Sequence, residues 1–274
     1  YIVSFLEKYN LDFELFVSKY KYHIKEHLFS LSPTLYTDII VYGGDGTFNE
    51  VINGILKRKD DYVPRLGLLP GGSGNSVMHD LNAINIDSAL QLIINNNVKH
   101  IDVMKLEYAN QTKYSINIVG WGMVADVAYL AEKLRFLGPS RYTIASLLYI
   151  LFSKNRYATL IIDSKKEKNN YLFIMVSNTI YTGKGMKISP NAKLDDGLLD
   201  INIVKNNVSK LQLFKLLPQI FTGRHINSKY VKYFNGKSIQ INFKDKQILN
   251  IDGEISNGEN IKISILEKKL PIYY

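Results

Sequence analysis

Three short segments carry residue types that phosphate chemistry needs. The first, Gly43-Gly44-Asp45-Gly46-Thr47, follows the apolar run Thr37–Tyr42 and precedes residues with helical spacing. Glycine permits a positive φ and lets backbone amides approach a ligand with no Cβ between them. A loop that opens a helix presents unpaired N–H groups and the positive end of the helix dipole, which favour phosphate. An aspartate in such a loop repels phosphate unless it holds a magnesium ion or accepts a proton, so Asp45 is a candidate for either task. The spacing matches neither the G-x-x-x-x-G-K-[ST] loop nor the dinucleotide G-x-G-x-x-G. Taken as structure alone, the segment is a tight turn with Thr47 capping the helix.

The second segment, Pro70-Gly71-Gly72-Ser73-Gly74-Asn75, again joins an apolar strand, Leu66–Leu69, to a helix starting at Ser76. Two such turns in successive βα units set two anion-binding helix ends along one sheet edge, where open α/β sheets bind ligands. With an acid in the first, the pair points to a nucleotide. The third segment, Ile251-Asp252-Gly253-Glu254, ends an apolar strand in an acidic turn. Its two carboxylates are close enough to raise each other's pKa. As structure alone it is a hairpin turn.

The elements that position these segments fall into two textures. Up to about Ile101, strands alternate with helices: Thr37–Tyr42, Phe48–Lys57, Arg65–Leu69, Ser76–Leu81 and Ile86–Asn95, the last with Asp87 as N-cap. That alternation predicts βαβ units and a parallel sheet. From Asp102 the chain reads as short strands: Val103–Tyr108, Tyr114–Val119, Ala158–Asp163, Tyr171–Ser177, Leu199–Val204, Ser238–Phe243, Gln247–Ile251 and Ile261–Leu266. Asp196-Gly197, Asn235-Gly236 and Asn257-Gly258 read as turns between them, and Val124–Phe136, Tyr142–Leu151 and Ser209–Phe221 as helices. The second part is therefore an antiparallel sandwich or distorted barrel.

Composition narrows the chemistry. The 274 residues contain no cysteine, which excludes a disulfide scaffold, a cysteine-ligated metal and a cysteine nucleophile. The longest uncharged apolar stretch, Tyr142–Phe152, falls well short of the ~20 residues of a membrane span. The chain reads as soluble and intracellular. Its formal charge of +9 favours anionic partners, but the lysines are scattered, and the densest run is Lys165, Lys166 and Lys168. Charge alone names no partner.

GGDGTFNEVINGI followed by LLPGGSGNSVMHDL resembles the catalytic domain of the diacylglycerol kinase and sphingosine kinase superfamily, and the resemblance runs over nearly the whole chain. It implies a Rossmann-like nucleotide domain over residues 1–101, a β-sandwich lipid-substrate domain over 102–274, and a site in the cleft between them. ATP is then the donor, magnesium the metal and a lipid at a membrane surface the acceptor. The expected setting is cytoplasmic with transient membrane contact, and no nucleic acid is expected. The implied nucleotide contacts are Gly43, Gly44, Asp45, Gly46, Thr47, Glu50, Gly71, Gly72, Ser73, Gly74, Asn75, Gly253 and Glu254.

Gly120–Arg141 is similar to the family's GxGADV…R…G…R segment, which gives Arg135 and Arg141 to the nucleotide phosphates; either could instead cap or solvate a helix. Asn178-Thr179, Lys184-Gly185-Met186, Pro190 and Leu194-Asp195-Asp196-Gly197 match the segment where bacterial relatives hold a structural magnesium. That makes Asp196 a candidate metal ligand, although a carboxylate in a turn is ordinary turn chemistry. By resemblance to diacylglycerol kinases, Asp252 takes the proton from the lipid hydroxyl and Glu254 orients it or a metal-bound water. In sphingosine kinases the acid of the first motif has that task, so Asp45 is the competing base.

Sphingosine kinases also carry an acid two residues beyond the Asp of ADV, where this chain has Ala128. That weakens a sphingoid substrate; diacylglycerol is the expected acceptor, with a sphingoid base or ceramide as the alternative. The family's upstream strand and its glycine loop are absent before Tyr1, so the expectation is an N-terminally truncated chain without the first strand. His225 is expected at a surface helix end. A non-catalytic nucleotide or lipid sensor of the same fold is the alternative class, and the intact motifs speak against it.

Overall fold

A computed structural model describes residues 1–274 except Ser153 and Lys184, and except the side chains of Arg135 and Pro139. The order is α1 (Ile2–Lys8), α2 (His23–Ser30), β1 (Asp38–Gly43), α3 (Asp45–Ile55), β2 (Arg65–Pro70), α4 (Ser76–Asp80) and α5 (Ile86–Asn95). There follow β3 (Val98–Tyr108), β4 (Gln111–Ser115), β5 (Ile118–Gly122), α6 (Met123–Lys133), α7 (Arg141–Phe152), β6 (Arg156–Ile162) and β7 (Lys165–Ser177). The chain continues with β8 (Tyr181–Thr182), β9 (Met186–Lys187), β10 (Leu199–Lys205), α8 (Lys210–Leu216), β11 (Val231–Gly236), β12 (Ser238–Ile251) and β13 (Glu254–Tyr273).

The N-terminal part is Rossmann-like. β1 and β2 are parallel and in register from Asp38↔Arg65 to Gly43↔Pro70, so both strands end at the same level. Phe48, Val51, Ile52 and Ile55 recur at helical spacing on α3 and are buried with Leu66, Leu68 and Leu69 of β2. The C-terminal part is an antiparallel β-sandwich whose core gathers Met104, Trp121, Ile174, Ile201, Ile241 and Ile263 from six strands.

One strand belongs to both parts. β13 pairs with β12 through its first residues, then with β3 from Ile261↔Tyr108 to Tyr273↔Val98, and meets β2 at Ile272↔Leu66. Leu270, Ile272 and Tyr273 are buried in the core of the Rossmann-like part. The alternation of apolar runs gives no hint of this return.

Several local expectations are corrected. The helix after the first glycine segment starts at Asp45 rather than Phe48, leaving Thr47 inside it and Gly44 as an N-cap without a side-chain bond. Asn85, not Asp87, caps α5, through a reciprocal bond with Ser88 that a side chain already inside the helix could not make. The strand expected at Tyr114–Val119 is two, β4 and β5, because the Ser115–Ile118 segment turns to bind Asp252. Ser238–Phe243 and Gln247–Ile251 are one strand, β12, with a register shift between Asn242 and Gln247. Asn257-Gly258 is no turn: it lies within β13 opposite Ile248 and Gln247. His225 is buried at 4% exposure, with Nε2 3.1 Å from the Ile188 carbonyl, because the neighbouring 3-10 turns fold over it.

Gly122 connects β5 to α6 with φ at 79°, and a Cβ there would overlap the Leu172 carbonyl oxygen on β7. Gly122→Ala combines a disallowed backbone with a clash against a sheet interior. It should lose roughly 2–5 kcal/mol in urea unfolding. A loss within experimental error would mean that the β5–α6 junction is not held as described.

Candidate active site

The strand register brings the two glycine segments into contact. The Gly71 N–H donates to the Gly43 carbonyl at 2.8 Å. A Cβ on Gly72 would lie 2.5 Å from the Gly44 Cα, and one on Gly74 would lie 2.5 Å from Asp45 Oδ2. These glycines are thus required for close approach. The left-handed conformation expected of them falls instead to Asn75, at φ 53°. Asn75 closes its own loop: Oδ1 accepts from the Gly72 N–H at 3.0 Å and Nδ2 donates to the Gly72 carbonyl at 2.9 Å. Ser73 is exposed at the tip.

The two helix ends are not equivalent. α3 is an 11-residue helix whose first turn borders open space, since a Cβ on Gly46 would meet nothing within 4 Å. α4 has only 5 residues, and its first amide, Ser76 N–H, is already spent on Asp45 Oδ1 at 2.7 Å. One N-terminal amide of α4 is thus engaged within the protein, whereas the first turn of α3 faces open space. Burial raises the Asp45 carboxyl, and the charge of Asp252 raises it further against the bonds from Ser76.

Asp252 is 8% exposed and sits with φ at 50° in a two-residue hairpin turn with Gly253, φ 88°, between paired Ile251 and Glu254. Consecutive left-handed residues define the type I′ turn, which Asp-Gly favours. Oδ1 accepts from Ser115 Oγ at 2.7 Å, Ile118 N–H at 2.9 Å and Asn117 N–H at 3.2 Å. Oδ2 accepts from Asn49 Nδ2 at 2.7 Å. Burial pushes this carboxyl up, and the donors from Ser115, Ile118 and Asn49 oppose the push. Asn49 stands four residues after Asp45 on α3, about 6 Å along the axis, so one helix face carries the first-motif acid and the clamp on Asp252. A Cβ on Gly253 would meet nothing within 4 Å, so the turn itself borders open space.

The other expected site residues are more dispersed. Glu254 pairs with Lys113 at 2.8 Å and Lys21 at 3.0 Å; burial would raise it, but those bonds leave it below the usual range. Glu50 accepts the Tyr22 N–H at 3.0 Å. Arg141 starts α7 with its guanidinium over the Tyr142 ring, 5.0 Å from the centroid. Arg135 begins a 3-10 turn, and its side chain lies outside the described residues, as does Lys184. Ala128 is buried on α6. Asp196 is exposed, and its Oδ1 accepts the Leu198 N–H at 3.1 Å. Among the described residues no three His, Asp or Glu side chains cluster as a metal cage.

Sequence reasoning gave no role to Asn49, Asn53, Ser115, Asn117 or Asp80. Asn53 brackets Tyr114, donating to its carbonyl at 2.8 Å and accepting its N–H at 3.0 Å, so α3 grips β4 beside Asp252. Two asparagines four apart on an otherwise apolar helix face were the available signal. Asp80 accepts from the Ile180 and Tyr181 amides at 2.9 and 3.4 Å; burial raises it to about 6. It ties the second glycine segment to the sandwich.

Two families match the chain: the diacylglycerol kinase catalytic domain over residues 1–106, and the YegS C-terminal NAD kinase beta sandwich-like domain over 117–273. A diacylglycerol kinase of Staphylococcus saprophyticus is 33% identical over 224 residues, 80% of this chain and 70% of that protein. Sphingosine kinase 1 of Arabidopsis thaliana is 26% identical over 304 residues, 91% of this chain; the chain spans 62% of that protein's length and 63% of sphingosine kinase 2's. The crystal structure of a Bacillus anthracis protein described as a candidate diacylglycerol kinase superposes with a TM-score of 0.76 at 26% identity, covering 94% of this chain and 82% of that one.

A carboxyl raised on folding favours the folded state while protonated, and loses that advantage as pH rises through its folded pKa. Ionised Asp252 therefore costs stability at neutral pH. Asp252→Asn should melt a few degrees above wild type at neutral pH, with the gap closing as the solution is acidified. An equal or lower melting temperature at neutral pH would show that the four donors outweigh burial.

Proposed function

The chain belongs to the lipid kinase family that joins a diacylglycerol kinase catalytic domain to a YegS-type β-sandwich, and on that premise we propose an ATP-dependent transfer of the γ-phosphoryl group to a lipid hydroxyl, that of diacylglycerol foremost. The observation that carries the reading is Asp252: a buried acid held in a left-handed turn, clamped by Asn49 from the helix that the glycine segment opens. A carboxylate with raised pKa in a turn that borders open space is a candidate for proton transfer, because such groups cluster where protons are moved.

In this reading the Rossmann-like part, taken to residue 101, binds the nucleotide, and the sandwich presents the lipid. The amides of Gly44, Gly46 and the first turn of α3 receive phosphate oxygens, and Gly72 and Gly74 keep the second loop close enough to complete the cradle. Asp45 supplies hard oxygen ligands beside that cradle, a donor set that suits magnesium shared with substrate phosphates. Magnesium so held would neutralise charge on the transferred group. Asp252 receives the hydroxyl proton on Oδ2, because Oδ1 already takes three donors while Oδ2 takes one. Asn49 keeps that oxygen aimed.

The acceptor preference rests on α6. The place where a sphingoid base would need a carboxylate holds buried Ala128, and the adjacent acid, Asp126, is committed to Arg156 at 2.7 Å. An ammonium left unpaired in a partly buried cleft costs several kcal/mol, on the order of the penalty for burying any unpaired ion. A neutral glycerol backbone has no such need.

Labelled ATP incubated with a panel of micellar lipids should label diacylglycerol faster than sphingosine. Preferred labelling of sphingosine would sink the acceptor assignment. Asp252→Asn should retain ATP binding and lose about 10²–10⁴-fold in turnover, the range of a positioned general base; activity within a few-fold of wild type would move that role to Asp45. Gly74→Ala, which drives a methyl onto Asp45 Oδ2, should weaken Mg·ATP binding with little change in melting temperature.

A further inference from the structure

α7 is built inside out. Ile144, Leu147, Leu148, Leu151 and Phe152 follow the i, i+3, i+4, i+7, i+8 spacing that normally turns one helix face to a core. Here that stripe faces solvent: Leu147, Leu148, Leu151 and Phe152 are exposed, Phe152 at 71%, and Ile144 is only half-buried. The opposite face is the one that packs. Ala145 and Ile150 are buried there, Ile150 in one cluster with Leu172 and Leu213, and Ser146 and Tyr149 are half-buried beside them. The elements packed against α7 add to the apolar surface. Phe136, in the 3-10 turn Arg135–Ser140, is 80% exposed, and Leu211 on α8 is 66% exposed.

The charge around this face has one sign. Between Lys133 and Arg156, and again between Lys205 and Arg224, the sequence contains no Asp or Glu. Lys133 at the end of α6, Lys154 just past α7, and Lys210 and Lys215 on α8 are all exposed. The two acids in this helical layer lie on α6: Asp126 is 2.7 Å from Arg156, and Glu132 is half-buried. A second copy of the chain would set two cationic rims against each other, and like charges across an interface repel. An anionic bilayer answers both features at once. Leucine and phenylalanine enter the acyl boundary, and lysines keep their stems on the apolar surface with their ammonium groups among the phosphates. Tyr142, exposed at the start of α7 with the Arg141 guanidinium over its ring, suits the headgroup level.

We propose that the outer face of α7 docks on an anionic lipid bilayer, with the helix lying in the plane of the interface. At 12 residues α7 is about 18 Å long, too short to cross a hydrocarbon core of ~30 Å, so it rests on the membrane rather than in it. The cationic rim makes the contact dependent on anionic lipid and sensitive to salt. The argument stands on exposure and charge alone. It joins the lipid kinase reading at one point, as the route by which a membrane-held acceptor reaches the sandwich.

Trp121 is the only tryptophan and is buried, so Phe152→Trp adds a reporter against a quiet background. With vesicles of phosphatidylcholine and phosphatidylglycerol carrying brominated acyl chains, Phe152→Trp should be quenched several-fold more than wild type. Quenching no greater than that of wild type would show that α7 does not meet the bilayer. The second arm is co-sedimentation with the same lipids, unbrominated. Leu148→Glu/Leu151→Glu should partition at least about tenfold more weakly than wild type. It should melt within a few degrees of wild type, because both side chains are exposed. A double variant that binds as wild type does would overturn the proposal, and wild-type binding that ignores phosphatidylglycerol would overturn its anionic preference. Dimerisation of wild type that the double variant abolishes, with no quenching of Phe152→Trp, would give the face to a second copy instead. Neither arm uses phosphoryl transfer, so a failure to dock leaves the kinase reading standing, and an inactive enzyme leaves the docking face standing.

Discussion

A charged carboxylate taken out of water must be surrounded by donors, and Asp252 meets that requirement by drawing four of them from separate parts of the chain. Asn49 comes from the helix behind the first glycine segment, Ser115 from β4, and the amides of Asn117 and Ile118 from the start of β5. Satisfying the acid therefore fixes the Rossmann-like part against the sandwich at one point. The same demand breaks what would be a continuous strand between Tyr114 and Val119, and it sets the end of the β12–β13 hairpin. Positions of α3, β4, β5 and the acidic turn all follow from one buried oxygen pair.

The glycine segments depend on a different constraint, the equal ending of two parallel strands. Because Gly43 lies opposite Pro70, the loops emerge at one height and touch, and the Cβ atoms that Gly44, Gly72 and Gly74 lack would strike the other loop or Asp45. The bond from the Ser76 amide to Asp45 then makes the acid of one loop part of the other. The two motifs, separate in the sequence, are one object in space.

The fold class and the three acidic or glycine-rich segments were legible because each is written in adjacent residues: apolar runs, turn dipeptides and helix spacing. The reasons behind them were less so. The glycines read as positive-φ positions serve close approach, while the left-handed backbone falls to Asn75 and Asp252. The Asn49–Asp252 bond joins residues 203 positions apart, and no local pattern records it. Asn257-Gly258 looked like a turn because that dipeptide usually is one, but the long pairing of β13 with β12 and β3 overrides the local preference. His225 looked superficial because its neighbours are polar, and only the folded 3-10 turns around it supply the burial.

The course of β13 bears on how the protein is made. Leu270, Ile272 and Tyr273 complete the core around β2 and β3, although most of that core is translated within the first hundred or so residues. On the ribosome, the Rossmann-like part therefore waits with an open sheet edge and an unfilled core until the sandwich has been synthesised and its last strand has cleared the exit tunnel. Translation at about 5–20 residues per second makes that wait many seconds long. For that interval the nascent chain carries exposed β-edge and apolar surface of the kind that chaperones bind, and the core around β2 and β3 is completed only once β13 docks.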